Sequence, residues 1–207
     1  MKNKSKKTAV VFVILLSVLV GISGLLYLIL ELASSSEQPS TSGKVFLYKA
    51  DFDAEIMTEE NYLILDRSIK YSDGVGTWAI ADDKNTYATD DVQLFLIEYI
   101  RALVAGDAEK LKGMYSENVV KELNIPDRIT QQRVYDTVFT EISMTTVDDS
   151  DEKFFRYEIK AEYKIMKNDG TFRMDLASDA IKAQYFVIDL KKDSCEIIQV
   201  VEYVADN

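Results

Sequence analysis

The sequence predicts an α+β roll, with about three helices packed on a curved four-stranded antiparallel meander sheet, preceded by an N-terminal transmembrane helix. Three observations carry this. Twenty-three uncharged residues run from Thr8 to Leu30 behind a cluster of four lysines. Apolar residues then recur at helical spacing between Val92 and Leu123. Beyond Pro126 the period changes to two, most clearly from Phe154 to Lys167.

At 1.5 Å per helical residue the apolar run spans roughly 35 Å, against a hydrocarbon core of about 30 Å. Lipid cannot satisfy open backbone groups, so the run at 8–30 is expected to be helical, with the bilayer as its partner. Lys2, Lys4, Lys6 and Lys7 flank one side only. Positive charge stays cytoplasmic, so residues 1–7 form an inner tail and everything beyond Glu31 lies outside: a single-pass cell-membrane protein. A cleaved secretory signal is the rival, with a core of about 7–15 residues ending at a small-x-small site. Here the run is longer, and Leu30, Glu31 and Leu32 before Ala33 fit that site poorly. Ser17, Gly21 and Gly24 fall at i, i+4 and i+7, a small-residue stripe along which a second membrane helix can approach. Glycine is common in membrane helices in any case.

Residues 31–43 are polar and serine-rich and read as a flexible tether. Lys44 to Asn207 leaves 164 residues, enough for one domain with a sizeable core. Setting aside the four N-terminal lysines, Glu31 and Glu37, this part holds 20 basic and 33 acidic residues, a net charge of −13. Phosphate neutralisation needs clustered Lys and Arg, so nucleic acid is not an expected partner. Acidity also keeps an exported domain soluble. Cys195 is the only cysteine, which excludes an internal disulfide. Histidine is absent, which excludes Ser-His and Cys-His nucleophile pairs and His-based zinc sites.

Residues 44–89 read as short strands at the edge of the roll or added to it. Val45 to Tyr48 is one; Tyr62 to Leu65 with Ile69 and Tyr71 is another; Thr77-Trp78-Ala79-Ile80 follows the turn at Ser72 to Gly76. Residues 90–207 form the roll itself. Thr89 or Asp90 caps a first helix, Gly106 closes it in the left-handed conformation, and Asp107 caps the second. Ser116 starts a third, and Pro126 stops it. The strands follow at Val134 to Val147, Phe154 to Lys167, Thr171 to about Leu190 with an interruption at Ala177 to Asp179, and Cys195 to Val204. In the second of these Phe155, Tyr157, Ile159, Ala161, Tyr163 and Ile165 face one way, and Arg156, Glu158, Lys160, Glu162 and Lys164 the other. One wet side means an antiparallel sheet, and Asn168-Asp169-Gly170 reads as a hairpin turn.

This order of elements resembles the nuclear transport factor 2-like superfamily, a cone-shaped α+β roll. The residues that carry the resemblance are Val92 to Tyr99, Ala105-Gly106-Asp107, Leu111 and Tyr115, with the strands at 153–167 and 180–204. It covers roughly residues 90–204. With the anchor and tether included, the chain is similar to the assembly-scaffold component of conjugative type IV secretion systems. That resemblance implies a non-enzymatic role, in self-association and contact with other channel subunits. No interface residue of that family is matched here. Fold likeness alone is an associational warrant for function.

The roll of this fold class forms a pocket that some relatives use for ligands or catalysis. Trp78, Phe95, Tyr99, Tyr115, Tyr157, Tyr163 and Tyr185 are the candidates to line it, and inward aromatics at such spacing are also ordinary core. An acid–base site needs a carboxylate raised by burial beside a donor, and the sequence does not show which pair converges. Asp148, Asp149, Asp151 and Glu152 concentrate carboxylates that suit calcium, without the spacing of a calcium loop. Cys195 beside Glu196 reads as a small buried hydrophobe. No cofactor motif is present. The expected function is a membrane-anchored, extracytoplasmic protein-binding or assembly module that is not an enzyme. The alternatives are a small-ligand or enzymatic pocket in the roll and a surface adhesion domain.

Overall fold

A computed structural model describes residues 48–81, 90–149 and 152–202. The expected tail, membrane helix and tether (1–7, 8–30 and 31–43), including Ser17, Gly21 and Gly24, lie outside the described residues, as do Val45, Phe46 and Leu47. Among the described residues no helix is long and apolar enough to cross a membrane.

Among the described residues four helices and six strands follow one another. A 3-10 turn at Ile56–Thr58 leads into α1 (Glu60–Leu63), then β1 (Ile69–Ser72) and β2 (Thr77–Ala81). Next come α2 (Asp91–Ala105), α3 (Ala108–Gly113) and α4 (Glu117–Leu123). The long strands close the order: β3 (Arg133–Asp148), β4 (Lys153–Met166), β5 (Gln184–Leu190) and β6 (Cys195–Glu202).

The sheet departs from the expected four-stranded antiparallel meander. It has six strands in the order β2-β1-β3-β4-β5-β6, and it is mixed, because β1 lies parallel to β3. Ile69 to Ser72 pair with Thr137 to Thr140, and β2 returns antiparallel on the outside. Alternation in a sequence identifies a strand but not its neighbour, so the hairpin at 69–81 was readable and its partner was not.

The segment before that hairpin folds onto the roll. Tyr62 to Leu65, expected as a strand, instead contributes Tyr62 and Leu63 to α1. The reason is tertiary: the Tyr62 hydroxyl donates to the Val134 carbonyl at 3.0 Å, and the Ile56 N–H donates to Gln131 Oε1 at 3.2 Å. Glu59 accepts two bonds from Arg133 Nε, at 3.1 and 3.0 Å, and one from Lys167 Nζ at 3.0 Å. Both Ile56 and Tyr62 are buried. Tyr48 lies outside any regular element.

The helices form where their caps stand. The Asp90 carboxylate accepts the Gln93 N–H at 2.9 Å, and Gly106, at φ 69°, ends α2. Asp107 then accepts the Lys110 N–H and starts α3 at once. Asn124, at φ 48°, ends α4 two residues before Pro126. Val92, Leu96, Tyr99 and Leu103 of α2 pack on Phe139, Ile159, Ala161 and Phe186 of the sheet, and these side chains fill the space between the two layers.

Two irregularities sit on β3. Register shifts between Tyr135 and Val138 and again between Glu141 and Ser143, each leaving one extra residue on β3. Such bulges bend a strand. At the first, Asp136 adopts φ 51°, donates its N–H to the Asp66 carbonyl at 2.8 Å and pairs with Lys164 at 2.8 Å.

The return from β4 also differs from expectation. Asn168-Asp169-Gly170 does not send the chain straight back as a strand, since β5 begins only at Gln184. Lys167 turns into the left-handed region at φ 53°, and the Asn168 amide donates to the Arg173 and Leu176 carbonyls at 2.9 and 2.7 Å. Leu176 is buried in the core. Residues 168–183 therefore form a packed loop, with the Asn168 amide satisfying two of its carbonyls.

Candidate functional site

The loop at 168–183 brings an arginine into the interior. Arg173 is only 4% exposed. Its Nε and Nη2 grip Asp175 at 2.7 and 2.9 Å, Nη2 also reaches the Lys182 carbonyl at 3.3 Å, and Nη1 donates to the Tyr163 hydroxyl at 3.2 Å. Burial pushes the Asp175 carboxyl up, but the bonds and charge of Arg173, reinforced by Lys182, outweigh it and hold the group well below the usual range. Burial likewise opposes the guanidinium charge, and Tyr163 and Asp175 more than offset it. A buried charge is tolerable only when paired and hydrogen-bonded in this way.

From there a chain of phenols runs inward. Tyr163 donates to Gln184 Oε1 at 3.1 Å, and the Tyr115 hydroxyl donates to that of Tyr99 at 3.0 Å. Tyr99 stacks edgewise on Tyr115 and Phe186, with centroids 6.1 and 5.4 Å away. Burial, then the neighbouring Tyr115 and Tyr163 hydroxyls, lift Tyr99 well above the ordinary phenol range. Burial raises Tyr115 as well, so Tyr99 and Tyr115 stay protonated at working pH and act through hydrogen bonds and not as bases.

The cluster faces a cleft of about 410 Å³ between the end of α4 and the loop. Leu123, Ile125, Pro126, Phe172 and Met174 supply its apolar wall; Asn124, Thr171, Arg173, Asp175 and Gln184 supply its polar groups, with Tyr115 at the inner end. A second cleft of about 390 Å³ lies between α2 and the 57–69 segment, with Arg67 and Arg101 on it.

Of the seven aromatic candidates, Tyr99, Tyr115 and Tyr163 belong to the phenol cluster, and of the seven only Tyr115 lines the 410 Å³ cleft. Tyr157 is buried on β4, where burial and the carboxylates of Asp90 and Glu141 raise it. Trp78 is half-buried against Tyr71, centroids 5.6 Å apart, and Phe95 is half-buried against the core. Tyr185 lies on the opposite sheet face, paired in register with Lys160 and Val201, whereas Phe186 points inward. The sequence places Arg173, Asp175 and Gln184 in a strand, and no feature of it signals that Arg173 is buried.

Among the described residues no group of carboxylates, cysteine or histidine is arranged to hold a metal ion. Asp148 lies opposite Lys153, and Glu152 Oε1 accepts the Lys192 N–H at 3.2 Å; Asp151 lies outside the described residues. Burial, with Asp91, Asp189 and Glu196 adding repulsion, pushes the Cys195 thiol up to about 12, so it carries no thiolate at neutral pH.

One further surface stands out. β1 pairs with only four residues of β3, Thr137 to Thr140, so Glu141 to Asp148 have β4 as their one sheet neighbour among the described residues. On this stretch Ile142 and Met144 are 53% and 50% exposed, and Phe155 across on β4 is 44% exposed. The chain matches no family model, no curated protein and no solved structure.

Proposed function

We propose that this chain is a membrane-anchored protein-binding module, with residues 8–30 in the bilayer and the α+β domain held outside the cell on the tether. The observation that carries the proposal is the distal half of β3, whose outer edge has no strand neighbour among the described residues. An unpaired strand edge is a template for an extended segment of another chain, and side chains beside it supply specificity. Here that edge is bordered by exposed Ile142, Met144 and Phe155. Asp148, Asp149 and Glu152 stand at the end of the same ribbon, on a domain of net charge −13. Charge complementarity therefore favours a partner segment that combines apolar and basic residues. The saturated bonding of the phenol cluster supports a binding role over a catalytic one. The likeness to conjugative assembly scaffolds gives the sharpest version, in which the partner is another channel subunit.

Photo-crosslinking in intact cells tests this, with a photoreactive residue replacing Met144 in the full-length chain and a control at exposed Glu122 on α4. The expected result is a discrete adduct at 144 that is missing at 122 and lost on Ile142→Asp. No adduct at 144 would remove the proposal. External protease that fails to reach the domain on whole cells would remove its topology.

A further inference from the structure

We infer that the cleft between α4 and the 171–175 loop binds a small neutral molecule with an apolar body and an uncharged amide head, a site apart from any partner at β3. At about 410 Å³ the cleft falls within the usual size of small-molecule sites. Leu123 and Met174 on its wall are 40% and 68% exposed, large apolar side chains that an apolar guest would cover.

The head group follows from the orientation of one side chain. Tyr163 accepts the Arg173 Nη1–H, so its own proton goes to Gln184 Oε1, at 3.1 Å. That fixes the Gln184 amide, with its oxygen taken and both Nε2 N–H groups without a partner among the described residues. Gln132 Oε1 is the one fully buried side-chain polar atom among the described residues that lacks a partner, so the Gln184 N–H groups are open to solvent at the cleft that Gln184 lines. Asn124 lines the same cleft and makes no side-chain bond among the described residues. Its amide offers both a donor and an acceptor.

The charges nearby select against an ionic head. Asp169 accepts the Thr171 and Thr130 hydroxyls at 2.8 and 2.7 Å. Asp175 is bonded to Arg173 and to Lys182 Nζ, and Asp175 and Lys182 each make a further interaction. Beyond Pro126, Asp127 pairs with Lys112. An anion entering the cleft meets Asp169 and Asp175; a cation meets Arg173, Lys182 and the Gln184 donors. Either loses hydration against charges of both signs that are already engaged. An uncharged carbonyl loses far less and accepts a Gln184 N–H, while the N–H of an amide complements the Asn124 oxygen.

The test uses the full-length chain in lipid nanodiscs and follows the Met174 methyl by NMR. Met144 on β3 serves as the exposed control and buried Met114 reports the fold. 4-Phenylbutanamide should shift Met174 saturably and leave Met144 unmoved, and 4-phenylbutyrate and 4-phenylbutylamine should bind at least about tenfold more weakly. Gln184→Glu keeps an acceptor for Tyr163 and removes the donors, so it should weaken the amide about tenfold and favour the amine. Leu123→Asp should abolish the shift, with Met114 at its wild-type position in both variants. An unmoved Met174 up to about 10 mM amide would overturn the inference, as would acid or amine binding as tightly as the amide. Equal shifts at Met144 and Met174 would mean adhesion to any apolar surface and would do the same. So would undiminished binding by Gln184→Glu. Saturation by acetyl-phenylalanyl-alanine amide, with none by 4-phenylbutanamide, would assign the cleft to a peptide and overturn the small-molecule site.

Discussion

Arg156 and Asp189 sit directly opposite each other on β4 and β5, and the guanidinium grips the carboxylate with two bonds, Nε–Oδ1 at 2.6 Å and Nη2–Oδ2 at 2.8 Å. Asp189 is buried, and the Arg156 and Lys191 cations lie 5.7 and 5.5 Å from the centre of the Phe154 ring. Arg156→Met keeps much of the stem and removes the charge, leaving a buried carboxylate alone. The expected loss is about 2 kcal/mol, read from urea unfolding. Adding Asp189→Asn should recover part of it; an unchanged midpoint in the single variant would show that the pair does not stabilise the fold.

Glu59 ties the N-terminal segment to one end of the β3–β4 pairing, where Arg133 lies opposite Met166 and Lys167 follows. Its bonds to Arg133, then Lys167, with the charges of both, overcome a modest burial penalty and bring its pKa to about 2 from the ordinary 4.5. Since the folded value is depressed, the contribution is complete above about pH 4.5 and drains away as pH falls toward 2. Glu59→Gln should lower stability at neutral pH and flatten the acid limb across that window, measured by thermal melts at successive pH values.

Gly106 ends α2 where the chain crosses the 129–131 segment. A Cβ there would meet Gln131 N at 2.9 Å, Thr130 C at 3.0 Å and Ile129 O at 3.1 Å, all backbone atoms, and the residue holds φ 69°. Gly106→Ala therefore incurs both strain and overlap. A cost of about 2 kcal/mol or more is expected, a drop in Tm of several degrees for a domain of this size.

Cys195 offers a probe of unfolding. With its thiol pushed up to about 12 by burial and nearby carboxylates, it should resist a thiol-exchange reagent at pH 8 in the folded protein and react at once in denaturant. Rapid labelling of the native chain would contradict the burial.

These residues also mark what could be read in advance. Asp90, Gly106 and Asp107 declare their helix ends because capping is local, a matter of one side chain and the next three residues. The alternation in β4 is local too, and Tyr157, Ile159, Ala161, Tyr163 and Ile165 are all buried. Phe155 shares their face and is exposed, because the open distal ribbon leaves that end of the face uncovered. The pairing of β1 with β3 depends on residues some seventy positions apart, and no local pattern specifies it. The loop at 168–183 has strand-like stretches, but the Asn168 amide outweighs them by satisfying two carbonyls at once. Its burial of Arg173 followed from that, so the polar half of the cleft was invisible beforehand, while Tyr99, Tyr115 and Tyr163 were in view.

The far side of the sheet is closed differently. Ile197 in β6 donates its N–H to the Met114 carbonyl and accepts the Ser116 N–H, both at 2.9 Å, so the turn before α4 stoppers that border near the start of the strand. A guest strand on β3 would find the start of β6 already bonded. Recruitment at the β3 edge should therefore add one guest per copy there, as a discrete complex of fixed stoichiometry.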